Sequence, residues 1–404
     1  MSLLEKILKL VDLAKVGDLH QKGVYESFTN FADGKTLYFE DEDVLTLKTT
    51  VREIWKSNKE IFKTVTEKKV KECIIEIIRQ KVIDNVDLKQ RHFTQMIDQL
   101  LAMPVQECDV FKPLYGAMLS DIEKPLILGP YTIYDIDHQK QIILGKYPKA
   151  EMFYDINRKY IETNLLIGLK VMAREHRRAI ELSESLFQQF DNVIKFIIGP
   201  TDHRYDIGIY NFNAWSIHGS YVFTDKGVSS NTSASGSVSD LDLCDPYFIS
   251  NGYEWIWEKL QIDDHKTLET RILLAINWLG KGLKDKNTEN RYVQFIFALE
   301  SLFNFQKGAP LISPSIVNQL AEISALILGS NFDERIDFMR KIKKLYEKRS
   351  TIVHGDKTQI TEDDVLIAYG LVKSIILKLV HQPELRTLKS DQDLLNWVNQ
   401  IKYS

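Results

Sequence analysis

The chain has 404 residues, of which 44% are hydrophobic and 27% are charged, and its formal net charge is −4 at pH 7. A chain of this length can form two or three packed domains, and its charge balance gives no global sign of nucleic-acid or membrane binding, so any basic surface must be local. The three cysteines, Cys73, Cys108 and Cys244, have neither a close pair nor a metal-ligand spacing, which predicts a reduced, cytoplasmic protein.

The N-terminal part of the sequence predicts helices and a hairpin. Its start, MSLLEKILKLVDLAK, is amphipathic and acidic in places, and it lacks the long apolar core of a secretory signal. No stretch approaches roughly 18 uninterrupted apolar residues, so we expect no membrane span. Helical patterns cover 43–66, 67–84 and 88–103, and residues 126–145 predict a β-hairpin with DIDHQK as its turn.

The middle of the sequence predicts a helix followed by strands. The helical pattern from about 151 to 190 contains the basic run REHRR at 174–178, which could bind nucleic acid but is more typical of a solvated helix face. Residues 193–223 are rich in aromatic and β-branched residues and predict strands. Residues 227–239 contain six serines and neither a charge nor an aromatic ring, which predicts a flexible loop or linker.

The sequence after this linker predicts an all-α bundle. Residues 289–305 are apolar nearly all round, as in the central helix of a bundle. The last helix begins near Thr361, which with Asp364 resembles a capping box. Five helices in about 120 residues favour a bundle. Helically spaced apolar stripes mark three of the other helices: Ile272, Ala275, Ile276, Leu279 and Leu283; Ile316, Leu320, Ile323 and Ile327; and Ile336, Met339, Ile342, Leu345 and Tyr346.

Together these patterns predict the fold class α+β. A mixed helix and strand region at 1–225 precedes the Ser-rich loop or linker at 226–245. An all-α helical bundle follows at 246–385, and a helical extension at 386–404 ends the chain.

Arg349 lies at a position where the fourth bundle helix should be apolar. Steps of three and four residues lead from Ile342 to Leu345 and then to Arg349. An unpaired buried guanidinium costs several kcal/mol, so either a carboxylate pairs with it or that face opens into a cleft. Glu300 interrupts the apolar run FIFALESLF and is the expected partner. Gly355 should end the helix and leave His354 at its terminus.

Two interpretations of these charges remain open. Glu300 and Arg349 could form a purely structural salt bridge, or Arg349 and His354 could face one cleft with Glu300 orienting one of them. The segment 340–349 carries six bases and one acid, so a polyanion could lie along such a cleft, bound through its phosphates. The candidate phosphate-binding residues are Arg340, Lys341, Lys343, Lys344 and Lys348.

A second candidate pocket lies in the aromatic segment before the linker. His203 and His218, together with Asp202 and Tyr205, could line a ligand site, although isolated histidines more often have structural roles.

Arg349 and His354, with four residues between them, match the R-x(4–6)-H motif of HEPN domains. The flanking segments RILLAINWLGKGL (271–283), FIFALESLF (295–303) and LYEKRSTIVHGD (345–356) resemble successive helices of Apea-like HEPN domains. The resemblance covers about 265–382 and does not extend to 1–225, in which we recognise no family.

The resemblance implies a metal-independent endoribonuclease without a cofactor. Two HEPN domains would pair in a homodimer, with His354 as base or acid and Arg349 stabilising the phosphorane, and RNA would be cut to 2′,3′-cyclic phosphate ends. The context would be a prokaryotic antiphage (abortive-infection) or toxin-like system, with region 1–225 sensing a trigger, binding an activating partner or choosing the RNA. The alternative is a non-catalytic HEPN interaction module in which Arg349 and His354 hold the bundle or dimer together.

Overall fold

The computed structural model describes residues 3–18, 27–30, 35–200, 205–210, 212, 216–224, 227–237, 239–262, 264–305, 316–355 and 359–403. The chain divides into two compact units. Unit 1 contains Met1–Val110 and Lys170–Glu184, and unit 2 contains Phe111–Leu169 and Ser185–Ser404. Both helices and largely antiparallel sheets are present, so the predicted α+β class is confirmed.

The helices and strands follow one another without an internal repeat. The first part of the chain forms α1 (Leu3–Leu13), β1 (Lys15–Asp18), β2 (Ser27–Asn30), β3 (Lys35–Phe39), α2 (Asp41–Ser57), α3 (Lys59–Thr64), α4 (Glu67–Val82), α5 (Gln90–Ala102), β4 (Gln106–Leu114), β5 (Ala117–Met118), β6 (Leu126–Leu128), β7 (Tyr131–Asp135), α6 (Lys140–Lys146), β8 (Leu165–Ala173) and α7 (His176–Ile198). The second part forms β9 (Ser216–Thr224), β10 (Gly227–Ser235), β11 (Leu241–Asp242), α8 (Tyr253–Leu260), α9 (Thr267–Lys284), α10 (Thr288–Phe303), α11 (Ile316–Leu328), α12 (Phe332–Val353), α13 (Glu362–His381), α14 (Pro383–Arg386) and α15 (Asp391–Tyr403).

Unit 1 contains a helical core beside a small antiparallel sheet. The three strands are ordered β1-β3-β2, and the buried faces of α1, α2, α4 and α5 share one hydrophobic cluster. The helices predicted over 67–84 and 88–103 are confirmed as α4 and α5. The pattern at 43–66 divides into α2 and α3 because the side chain of Asn58 caps a new helix, accepting hydrogen bonds from the amides of Glu60 and Ile61.

The basic run at 174–178 has a structural role within unit 1. Arg174 donates to the carbonyl of Leu101 at 2.6 Å, and Arg178 donates to the carbonyl of Phe62 at 2.6 Å. Glu175 accepts the backbone N–H of Thr66 at 2.7 Å. The side chains of Arg174 and Arg178 are each only 10% exposed, whereas His176 and Arg177 are exposed, so only the second pair lies on the solvated face that the sequence favoured. The guanidinium groups satisfy the carbonyls at the ends of neighbouring helices.

A four-stranded sheet is ordered β4-β8-β7-β6. It contains the predicted hairpin, and its strand β8 stands in place of part of the helix predicted over 151–190. The hairpin predicted at 126–145 is present, but it turns at Gly129 and Pro130 rather than at DIDHQK. Gly129 adopts a φ of +59°, which a residue without a Cβ reaches easily and which closes a tight turn. Asp135 instead accepts the backbone N–H groups of Asp137 and His138, and α6 follows.

The helix predicted over 151–190 contains a strand at its centre, and the segment 193–223, predicted as strands, begins as a helix, although 216–223 does belong to a strand, β9. Residues 165–173 form β8, whose residues are nearly all buried, and a buried strand and a buried helix give similar apolar runs. The β-branched residues at 193–198 belong to α7, because Phe187, Phe190, Ile194 and Ile197 recur at helical spacing and are completely buried. Burial of this stripe outweighs the strand propensity of its residues.

The Ser-rich segment also differs from its prediction. Residues 227–235 form β10, which pairs with β9 in an antiparallel register from Gly227↔Thr224 to Ser235↔Ser216. Backbone hydrogen bonds in a hairpin do not require apolar side chains, so a composition that cannot form a core can still form a strand beside the aromatic and β-branched β9. The predicted flexible loop is therefore a hairpin strand over these residues.

The predicted bundle helices are present as α9 to α13. The central α10 packs against α9, α11, α12 and α13. Thr361 caps α13 in a reciprocal capping box with Asp364, and Gly355 follows α12 with a φ of +82°. The predicted start of α13 and the predicted end of α12 are therefore both confirmed. Helix α15 lies in the C-terminal extension predicted at 386–404, and the short α14 spans the boundary between the bundle and this extension.

Lys373 on α13 is a buried cation that should make the stability of unit 2 depend on pH. Its Nζ donates to the Ile197 carbonyl at 2.8 Å and lies over the rings of Phe196, Tyr253 and Tyr369. Among the described residues it has no carboxylate partner, and burial lowers the pKa of Lys373 from 10.5 to about 8. Its ammonium is therefore disfavoured in the folded state.

We expect the free energy of unfolding to rise between pH 8 and about 10, by up to about 3 kcal/mol from Lys373 alone. Below pH 8 the lysine is protonated in both states and the cost of burying its charge is fully present. Above pH 8 the folded state loses the proton first. Burial raises the pKa values of Tyr253 and Tyr369, so ionisation of these residues in the unfolded chain opposes the rise above pH 10.

Urea unfolding of the wild type and of Lys373→Met across this pH range measures the effect. The difference in free energy between the two proteins cancels the other titrating groups, and it should favour the variant most at pH 7 and shrink as pH increases. A difference that is constant with pH would contradict the prediction.

Candidate active site

Helices α10 and α12 of unit 2 bring the candidate residues together. The completely buried Tyr292 of α10 donates its hydroxyl to the carbonyl of Leu345, one turn before Arg349, at 2.7 Å. This bond fixes how far α12 is shifted along α10. At the start of α12, Asn331 accepts the N–H of Glu334 at 3.0 Å, so the helix begins at a defined residue.

Arg349 and Glu300 form an ion pair between these two helices. Arg349 Nη2 lies 3.3 Å from Glu300 Oε1, and the two side chains are 18% and 17% exposed. The guanidinium also lies 5.2 Å from the ring centroid of Phe297 and 5.5 Å from that of Tyr346. A guanidinium over aromatic faces can be held partly out of water. Arg349 is therefore at the edge of the core, neither sealed inside the bundle nor on its outer surface.

The polar atoms around this pair are not all satisfied. Glu300 Oε1, Arg349 Nε and Asn304 Oδ1 are buried, and none of them makes a hydrogen bond. The 3.3 Å contact is thus a charge pair without hydrogen-bond geometry. Buried polar groups normally have partners, so each of these atoms needs an explanation, and a ligand-binding or catalytic role is one.

Glu300 opens onto a shallow groove of 430 Å³ between α9 and α10. Its walls include Leu274 and Trp278 of α9 and Phe297 and Asn304 of α10. Trp278 and Phe297 meet edge to face with centroids 5.4 Å apart, and Leu274 is 44% exposed. The groove therefore offers aromatic and apolar surface beside an ion pair.

The carboxyl group of Glu300 is harder to ionise than an exposed one. Burial raises the pKa of Glu300, and the charge of Arg349 and the hydroxyl of Tyr346 offset this only in part. Burial also raises the pKa of Tyr346, and the carboxylate adds to that rise.

His354 is the C-cap residue of α12 and is exposed. Five residues along a helix correspond to a rotation of about 140° and a rise of about 7.5 Å, so His354 and Arg349 leave the helix in different directions. Neither makes a hydrogen bond to the other among the described residues. Among the described residues, Gly355, also exposed, has nothing within 4 Å of its Cβ position.

The five candidate phosphate-binding residues divide into two groups. Lys348 pairs with Asp364 at 2.6 Å and joins the end of α12 to the start of α13, and Lys341 pairs with Asp337 at 2.7 Å. Arg340, Lys343 and Lys344 are exposed and have no carboxylate partner in the described part of the chain. The last three residues are the bases available to a ligand.

The second candidate pocket predicted from sequence is only partly described. Asp202 and His203 lie outside the residues that the structure describes, and His218 is a residue of β9. Tyr205 lines a pocket together with Asp206, whose neighbours in the fold come from distant parts of unit 2.

Comparison with protein-family models, curated proteins and solved structures found no match for this chain. No helix among the described residues is long and apolar enough to cross a membrane. In the same residues, no group of three or more His, Cys, Asp or Glu side chains is arranged to hold a metal ion.

Proposed function

We propose that this chain is a cytosolic, HEPN-type endoribonuclease that acts as a homodimer without a metal ion. The observation that carries the proposal is the position of Arg349, a permanently charged group with an unpaired Nε, at a half-buried site beside Glu300 and an open groove. The exposed His354 ends the same helix. A purely structural arginine would be expected to have all its donors satisfied.

These residue types suit cleavage of RNA by its own 2′-hydroxyl. The 2′-oxygen attacks phosphorus, a P–O2′ bond forms and the P–O5′ bond breaks. One group must take the 2′ proton and another must give a proton to the departing 5′-oxygen. An imidazole can do either near neutral pH, and a guanidinium can stabilise the charge on the phosphorane oxygens. One histidine per chain cannot readily do both, so a second chain would supply the other.

The surroundings of the motif are compatible with RNA and with a second chain. Arg340, Lys343 and Lys344 would contact phosphates without reading sequence. Val353 is 51% exposed and, four residues from Arg349, lies on the same side of α12. Together with the apolar groove this side of the bundle could be covered by a partner copy.

The direct test is incubation of the purified full-length chain with end-labelled single-stranded RNA in EDTA. We expect fragments with 2′,3′-cyclic phosphate and 5′-hydroxyl ends. Cleavage only after addition of a divalent metal, 3′-hydroxyl products, or intact RNA with protein in excess would each contradict the proposal.

Glu300→Gln separates an orienting role of this carboxylate from a structural one. Because the cost of burying the charge of Glu300, which raises its pKa, offsets the attraction to Arg349, a neutral amide of the same shape should change the free energy of unfolding by less than about 1 kcal/mol. RNA cleavage should nevertheless fall by about tenfold or more, since Arg349 loses the charge that positions it. Urea unfolding and cleavage rates of the same preparations give both quantities.

The second candidate function is a non-catalytic interaction module. The stacking of Arg349 on Phe297 and Tyr346 favours it, because such packing would stabilise the bundle without any chemistry. In that case Glu300→Gln would lower stability markedly, and the wild-type chain would bind a partner copy but cut no RNA.

A further inference from the structure

A separate pocket of 540 Å³ lies within unit 2, and it shares no lining residue with the groove beside Glu300. It is bordered by the end of α7, by residues of 205–210, by Phe212 and Gly236, and by the junction of α9 and α10. The volume lies within the range of about 300–1,000 Å³ that is usual for small-molecule sites. None of the candidate residues of the proposed ribonuclease lines it.

Two lysine–aspartate pairs form the inner wall of this pocket. Lys284 contacts the completely buried Asp191 at 3.0 Å, and Lys195 pairs with Asp206. Asp191 also accepts the backbone N–H of Ile209 at 2.8 Å. Pairs of this kind contribute little net stability, because burying both charges offsets their attraction. Their presence at one concave site therefore suggests a role in binding.

Basic side chains outnumber carboxylates on the wall of the pocket, but most of them are paired. Four basic side chains but only two carboxylates line it. Asp206 is occupied by Lys195, and Asp285 accepts from the Asn287 amide and from Gln294. Asp285 keeps its negative charge because both of its donors are neutral, and Lys286 is the one lining base without a carboxylate partner among the described residues.

Two basic side chains that line the pocket have N–H donors without a partner among the described residues. Lys286 is exposed and has no ion pair with any described residue. The Nε of Arg291 is buried and makes no hydrogen bond, although its Nη2 pairs with Glu362. A ligand that completes this wall must therefore carry an anionic acceptor.

The opposite wall is aromatic and rigidly placed. Phe212 stacks on Tyr115 with centroids 5.6 Å apart and planes 20° from parallel. Tyr115 also exchanges two backbone hydrogen bonds with Gly208. Gly116, at a φ of +72°, approaches so closely that a Cβ there would lie 1.7 Å from the Asp206 carbonyl oxygen. The wall is thus preformed for a flat group.

We propose that this pocket binds a nucleoside 5′-phosphate, with the base against Phe212 and Tyr205 and the phosphate beside Lys286 and Arg291. The size of the pocket fits a mononucleotide, the exposed Lys286 fits a phosphate group, and the aromatic wall fits a base. This ligand site goes beyond the proposed ribonuclease activity and does not depend on it.

Isothermal titration of the full-length chain in a phosphate-free buffer tests the proposal. The probes are the four ribonucleoside 5′-monophosphates, the four nucleosides and inorganic phosphate. At least one monophosphate should bind saturably, and its nucleoside and inorganic phosphate should each bind at least about tenfold more weakly. If inorganic phosphate binds as tightly as the monophosphate, the nucleotide assignment is overturned. If the nucleoside binds as tightly as the monophosphate, the phosphate contact is overturned. If no monophosphate binds up to about 1 mM, the site itself is overturned.

Two charge reversals on exposed lysines complete the test. Lys286→Glu should weaken the monophosphate by about tenfold or more, whereas Lys149→Glu, which changes the net charge equally but lies outside the pocket, should leave it unchanged. Equal effects of both variants, or none from Lys286→Glu, would contradict the placement. Lys286→Ala provides the same comparison without a new carboxylate.

Discussion

Substituting His354 with alanine should leave the chain folded and reduce RNA cleavage by about 100- to 10,000-fold, the usual contribution of a general acid or base. The side chain is exposed and makes no hydrogen bond to any described residue, so its removal creates no cavity and leaves no buried group without a partner. The loss should therefore appear in the rate of cleavage and not in the free energy of unfolding. Initial rates on labelled RNA in EDTA, together with urea unfolding, measure both.

Arg349→Lys is the companion variant for this experiment. It retains the positive charge near Glu300 but replaces the forked guanidinium with a single ammonium. We expect cleavage to fall while RNA binding, measured by gel shift, changes little. Cleavage at the wild-type rate in His354→Ala would contradict the mechanism. Unfolding or dissociation of both variants would instead support the interaction-module alternative.

Gly280→Ala should destabilise unit 2 by about 3 kcal/mol, close to the upper end for an overpacked core position. A Cβ built at Gly280 on α9 would lie 2.1 Å from the carbonyl oxygen and 2.5 Å from the Cα of Asn192 on α7. Both are backbone atoms, so no side-chain rotation can relieve the contact, and the two helices must separate. Chemical and thermal unfolding of the variant should show the loss.

Gly370→Ala is the matched control. Gly370 also lies within a helix, α13, but nothing is within 4 Å of its Cβ position and it is exposed. The same substitution should here stabilise the helix by about 0.5–1 kcal/mol, since glycine is the poorer helix former. Destabilisation of similar size at both positions would show that the close contact between α7 and α9 is not the cause of the loss of stability in Gly280→Ala.

The bundle helices could be predicted from sequence because their signals are local. Apolar spacing, the Thr361–Asp364 capping box and the glycine at 355 each act within one or two turns, and each is present as expected. The position of Glu300 within an apolar run likewise indicated that it would be near Arg349, and the two side chains do form an ion pair. Whether either acts in catalysis stays a prediction.

The errors arose where residues far apart in the chain decide the structure. The apolar run of β8 has the composition of a buried helix, and only its place between β4 and β7 distinguishes it. The lysine–aspartate pairs of the second pocket join Lys195 to Asp206 and Lys284 to Asp191. The sequence showed only that Lys195 interrupts the apolar segment VIKFII, and nothing in it indicated that Asp206 would be the partner of this lysine.

The division of the chain limits how it can be cut or recombined. A recombinant piece that starts at residue 246 would contain Trp257 but would lose Tyr131 and Phe190, whose rings lie 6.4 and 5.9 Å from it. Unit 2 draws on two separate stretches of sequence, and α7 passes through the boundary at 184/185. We therefore expect that the helical bundle does not fold as a separate fragment starting at residue 246. A fusion protein that preserves it has to retain everything from Phe111 onward.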